Sequence, residues 1–144
     1  MGKFESEVKV GQYKRIGQYT LAEVLPFVEL SNRNDKVKRD YDGHMVKMGS
    51  QRYQLFATKG VTCVECGIEG IYFGLERIDN KNQDMERISY HFNLYGLRNG
   101  KEVLITKDHI VPKSKGGKNH LINYQVMCFD CNLEKADTLT INNK

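Results

Sequence analysis

TKDHIVPKSKGGKNHLINYQVMCFDCNLEKAD, residues 106–137, carries most of what this chain discloses. It holds an Asp-His pair (Asp108, His109), a loop rich in Lys and Gly, Asn123, and a Cys-x-x-Cys whose second thiol, Cys131, precedes Asn132. Upstream, Cys63-Val64-Glu65-Cys66 supplies two more thiols.

The residues around this run predict local structure. Tyr90, Phe92 and Leu94 alternate with His91, Asn93 and Tyr95, the period of a strand. Asn99-Gly100 follows, a strong hairpin signal because both turn positions take positive φ. A returning strand, Glu102 to Lys107, delivers Asp108 and His109 at its end. Pro112 and Gly116-Gly117 enforce a loop, Asn123 to Met127 reads as a short strand, and Cys131 to Asp137 as a helix. Further upstream, Thr20-Leu21-Ala22-Glu23 has the form of a capping box opening a short helix with Leu21, Val24, Leu25 and Val28 on its apolar side; Pro26 sits too deep for a helix start, so either the helix is kinked or no helix forms. Ser50 caps a second helix, QRYQLFATK, closed by Gly60. Residues 31–43 read as a polar loop or linker, and 67–87 as irregular surface.

At 144 residues the chain is long enough for one domain, with an apolar fraction of 40% and a mean hydropathy of -0.57. No apolar run reaches the 18 or so residues of a membrane span, and the N-terminus lacks a signal-peptide core, so a cytoplasmic location and no membrane partner are expected. In that compartment thiols stay reduced, and paired Cys-x-x-Cys motifs read as metal ligands rather than disulfides. The net charge of +4 is a modest nucleic-acid signal; its distribution says more. Lys107, Lys113, Lys115 and Lys118 gather around the Asp-His pair, with Asp108 the single acid between Lys107 and Lys118. They are candidate DNA phosphate contacts, with a solvated loop as the alternative.

Two Cys-x-x-Cys turns supply the four soft ligands of a tetrahedral zinc, and no cysteine is left over, which favours a closed structural site. Cys63, Cys66, Cys128 and Cys131 would then clasp distant segments around the hairpin. Structural zinc is worth about 10 to 16 kcal/mol of apparent binding energy, comparable with the whole stability of a domain at about 5 to 15 kcal/mol. The remaining set has the residue types for cutting a phosphodiester. A neutral His suits general-base work, while a carboxylate and an amide oxygen are hard ligands suited to Mg²⁺ or Mn²⁺.

With these residues in view, the chain resembles the HNH endonuclease family and its ββα-metal finger. The matching residues are Asp108-His109-Ile110-Val111-Pro112, Lys115-Gly116-Gly117, Asn123, and Cys128-Phe129-Asp130-Cys131-Asn132 followed by Lys135. The resemblance implies His109 as general base, Asn123 as the residue bracing the loop, and Asp108 and Asn132 as ligands of one catalytic Mg²⁺ or Mn²⁺. It also implies one structural zinc on the four cysteines, and an appearance like the small free-standing endonucleases of bacteriophages. The expected fold is α+β: the finger with a preceding β-hairpin, stapled by the four-cysteine zinc site, plus a small, mainly helical N-terminal extension. The expected division is an extension of unknown role at 1–60 and a nuclease domain at 61–144. The expected partner is DNA, met as monomer or homodimer. A catalytically inert zinc-binding nucleic-acid module is the alternative.

Overall fold

A computed structural model describes residues 2–31, 36–79 and 88–142, with residues 136–142 described by their backbone alone. It divides into two compact units, Met1–Ser50 with Tyr72–Asn93, and Gln51–Ile71 with Leu94–Lys144. The chain thus passes from the first unit to the second and back before residue 94, whereas the sequence reading places one boundary after residue 60.

In the first unit, β1 (Gly2–Val10) pairs antiparallel with β2 (Tyr13–Thr20), and β2 with β5 (Tyr72–Ile78). Thr20 caps α1 (Leu21–Val24) with a full capping box, its hydroxyl accepting from the Glu23 amide while the Glu23 carboxylate accepts from the Thr20 amide. α1 lasts only one turn and gives way to a 3-10 turn at Leu25–Phe27, because Pro26 has no amide hydrogen with which to continue an α-helix. β3 (Lys38–Tyr41) and β4 (His44–Lys47) form a hairpin through Asp42 and Gly43, at φ 53° and 95°.

The expected mainly helical N-terminal extension is therefore corrected: the described residues among the first 50 are mainly strand. The alternation Lys3-Phe4-Glu5-Ser6-Glu7-Val8 was available in the sequence. Its signal is weak because much of β1 is exposed on both faces. The loop reading of 31–43 gives way to β3 over 38–41, and residues 32–35 lie outside the described residues. The irregular reading of 67–87 gives way to β5 over 72–78, and residues 80–87 lie outside the described residues.

β5 escaped sequence reading because it buries charge. Glu76 is wholly buried, accepting from Arg15 Nε at 2.6 Å and from Asn93 Nδ2 at 2.7 Å. Arg77 forks onto Glu7 at 2.7 and 3.0 Å, and this bond holds the Glu7 carboxyl below its ordinary range. Around them Tyr19, Tyr41, Phe73 and Phe92 meet edge to face at 4.8 to 5.7 Å between centroids.

In the second unit, α2 (Gln51–Lys59) ends at Gly60 with φ 98°, as its sequence predicts. β6 (His91–Arg98) turns through Asn99 and Gly100, at φ 54° and 77°, into β7 (Lys101–His109). A loop with 3-10 turns leads to β8 (Tyr124–Cys128), antiparallel to β7, and then to α3 (Phe129–Asn142), which packs on both strands. This strand, loop, strand, helix order is the expected ββα finger. α3 starts two residues earlier than expected and runs five further.

Removing Arg15 leaves Glu76 buried without the guanidinium that it accepts from, the costly half of a broken ion pair. Arg15→Met is expected to destabilise the fold by about 3 to 5 kcal/mol in denaturant unfolding. Adding Glu76→Leu should recover much of that loss, and a further loss in the double variant would contradict this account.

Candidate metal and nucleic-acid site

The cysteines meet as the sequence predicts. Gly67, at φ 80°, lets the chain fold back so that its amide reaches the Cys63 carbonyl at 3.0 Å, and the Cys63 amide reaches Ile68. The Val64 amide bonds the Val126 carbonyl, tying this turn to β8. β8 ends at Cys128 and the first turn of α3 carries Cys131. The four sulfurs all lie within 4.8 Å of one another, and Cys66 and Cys128 are 3.8 Å apart. Sulfurs about 2.3 Å from one tetrahedral zinc would stand about 3.8 Å apart, so this donor set fits a metal of that kind.

Their ionisation is uneven. Burial pushes the Cys63 thiol up, but amide hydrogen bonds from Cys66, Cys128 and Glu65 outweigh it and bring the thiol down to about 7. Burial raises Cys128 and Cys131. Four sulfurs this close cannot all carry negative charge unless a cation sits among them.

On the same β7–β8–α3 scaffold, an open cleft of about 360 Å³ is lined by Lys107, Asp108, His109, Pro112, Lys113, Asn132 and Lys135. Register explains part of this convergence. Asp108 stands opposite Gln125, whose Nε2 donates to Asp108 Oδ2 at 2.9 Å, and the Lys135 ammonium from α3 donates to the same oxygen. Among the described residues neither bond falls on Oδ1. Asn132 donates its Nδ2 to Thr106 Oγ1 at 3.0 Å, and Thr106 donates onward to the Met127 carbonyl. With its NH₂ tied there, Asn132 keeps its amide oxygen as an acceptor.

His109 is held on two sides. Its Nε2 lies 2.8 Å from Asn119 Oδ1; in the tautomer that carries the hydrogen on Nε2 this contact is a hydrogen bond and Nδ1 is the basic nitrogen. Its ring meets the edge of Tyr124 at 4.9 Å. Gln51, at the start of α2, fixes both partners: its Oε1 accepts from the Tyr124 hydroxyl at 2.9 Å and its Nε2 donates to the Asn119 carbonyl at 3.1 Å. Asn123 stands outside the cleft lining. Its Oδ1 accepts from the Val111 amide, and its Nδ2 donates to the Val111 and Lys118 carbonyls. It stitches the two ends of the loop together. Gly117 is required inside that loop, since an added Cβ would stand 1.8 Å from the Val111 carbonyl oxygen.

Lys107 and Lys113 reach the cleft, Lys107 also over the Tyr124 ring at 4.2 Å; Lys115 and Lys118 are exposed on the loop and do not line it. Sequence reading missed Gln51, Asn119, Tyr124 and Gln125 as supports, and gave Lys135 no role. Asn119 carried a faint signal, a polar residue where the chain returns from the Gly116-Gly117 turn. Gln51 carried none, because its partners are distant in sequence.

Residues 98–141 match the model of the HNH endonuclease family. No curated protein and no solved structure matches the chain. The HNH match starts at the β6–β7 turn and ends within α3, so it covers the ββα finger and the second cysteine pair. It supports nuclease activity and nucleic-acid binding. Among the described residues no helix is long and apolar enough to cross a membrane.

Asn123→Ala removes all three side-chain bonds across the loop. We expect amide exchange over residues 110–119 to accelerate by at least about tenfold, with β6 unchanged, in hydrogen-exchange mass spectrometry. Unchanged exchange in the loop would show that Asn123 does not brace it.

Proposed function

We propose that this protein is a metal-dependent endonuclease that hydrolyses DNA phosphodiester bonds. The observation that carries the reading is the convergence of Asp108, His109 and Asn132 with Lys107 and Lys113 on one open cleft. Asp108 Oδ1 and Asn132 Oδ1 are the oxygens to hold one Mg²⁺ or Mn²⁺, both hard donors suited to such a cation. Bound there, the cation would neutralise phosphate charge and stabilise the leaving oxygen.

The chain's own residues do the rest. His109 takes a proton from water at Nδ1, with Asn119 on Nε2 keeping the ring in the useful tautomer and orientation. Gln51 and Tyr124 restrain that pair against tilting. Lys107 and Lys113 attract the phosphate into the cleft, and Lys115 and Lys118 extend the basic surface along the backbone. Asn123 keeps the loop closed beneath them. A structural zinc on Cys63, Cys66, Cys128 and Cys131 joins the first cysteine turn to the β8–α3 junction, and so holds Asn132 facing Asp108.

One contact favours a second reading. Lys135 already places a positive charge on Asp108, as an inert module gripping phosphate without a catalytic cation would require. Plasmid nicking separates the two. The zinc-loaded protein is expected to nick supercoiled DNA only after Mg²⁺ or Mn²⁺ is added. His109→Ala should lower the rate by at least about 10²-fold while DNA binding persists. Binding without nicking by the wild type would favour the inert module, and preferential cutting of RNA would reassign the substrate.

In DNA binding, Lys113→Ala is expected to reduce the slope of log K against log salt by about 0.9, equally on two unrelated duplexes. An unchanged slope would make the lysine a solvated charge, and a change in preference between the duplexes would make it a reader of bases.

A further inference from the structure

We infer that Arg98 is a positioning residue of the cysteine site, shielding the sulfur of Cys66 when zinc is bound; this rests on the zinc reading above. Cys66 is the exposed member of the four, whereas Cys63 and Cys128 are buried and Cys131 is partly covered. An exposed zinc thiolate is the sulfur that electrophiles and oxidants meet first.

Two of the other sulfurs draw on backbone. Cys63 accepts from the main-chain amides of Cys66, Cys128 and Glu65, and Cys128 accepts from the Cys131 amide at 3.4 Å. Cys66 is served by a side chain from another element: Arg98 lies against both Cys66 and Cys128, and its Nη2 donates to the Cys66 sulfur at 3.0 Å. The second arm of the same guanidinium, Nη1, donates to Asp130 Oδ2 at 3.1 Å in the first turn of α3. The planar fork therefore spans the site, with Asp130 fixing its angle and Cys66 receiving the other N–H.

Stability alone does not account for the arrangement. The Arg98 and Asp130 side chains are 40% and 59% exposed, and an ion pair so exposed contributes little to folding. The charge-assisted N–H···S bond has a more specific consequence. Four thiolates on one Zn²⁺ carry a net charge of about −2, and a cationic donor withdraws electron density from the sulfur it touches. Cys66 then holds the metal but attacks poorly. The hairpin whose other strand ends in Asp108 and His109 thus carries, at its turn, the guard of the most exposed of the four thiolates.

The test is site-resolved alkylation of the intact protein by iodoacetamide. The sulfur lone pair forms the S–C bond as the C–I bond breaks and iodide leaves. Zinc per chain is counted first, and initial labelling at each cysteine is then followed by peptide mass spectrometry in wild type, Arg98→Met, Arg98→Lys and Asp130→Asn. The expected result is initial labelling at Cys66 about tenfold faster in Arg98→Met, with zinc content and initial rates at Cys63 and Cys131 unchanged. Arg98→Lys should restore part of the protection, and Asp130→Asn should fall between wild type and Arg98→Met. Equal Cys66 rates in a zinc-loaded Arg98→Met overturn this inference while leaving the zinc reading standing. So does equal acceleration at all four cysteines, which is general loosening. A wild type that carries no zinc overturns both.

Discussion

Four sulfurs within 4.8 Å of one another form the constraint on which the second unit rests. They come from two turns far apart in the chain, and mutual repulsion opposes their assembly as thiolates. A soft cation among them reverses the sign of that term. Cys128 closes β8, Cys131 lies in the first turn of α3, and Asn132 is the next residue along the helix. Holding the sulfurs therefore fixes where the helix leaves the strand, and with it the place of Asn132 in the cleft that Asp108 also lines.

The remainder of the cleft is built from supports a step removed from it. Thr106 fixes the Asn132 amide, Gln125 the Asp108 carboxylate, Asn119 the His109 ring, and Asn123 the loop. Gln51 is the clearest instance, since one amide side chain restrains both neighbours of His109. α2 thereby belongs with the finger, and residues before the first cysteine pair contribute directly to the geometry of the proposed base.

What could be read from the sequence follows from how local each signal is. Asn99-Gly100, the capping box at Thr20 and the glycine at the end of α2 act within a few residues, and all were legible. So was the cysteine pairing, because the spacing within each turn is itself local. β5 was not, because Glu76 and Arg77 look like surface residues until Arg15 and Glu7 are brought to them across other strands. α1 was legible at its start but not in its length, since one proline outweighed the apolar spacing beyond it. In the site, the groups at the ends of β7 and β8 announced themselves by residue type. Their supports did not, because Gln, Asn and Tyr are common and only tertiary contact gives these ones a task.

The most direct test is a zinc titration into the metal-stripped, reduced protein, followed by hydrogen exchange over residues 94–142. The account predicts weak protection in the stripped chain and strong, saturating protection across β7, β8 and the start of α3 at one equivalent of zinc per chain. Protection already complete in the stripped chain, and unmoved by zinc, would contradict it.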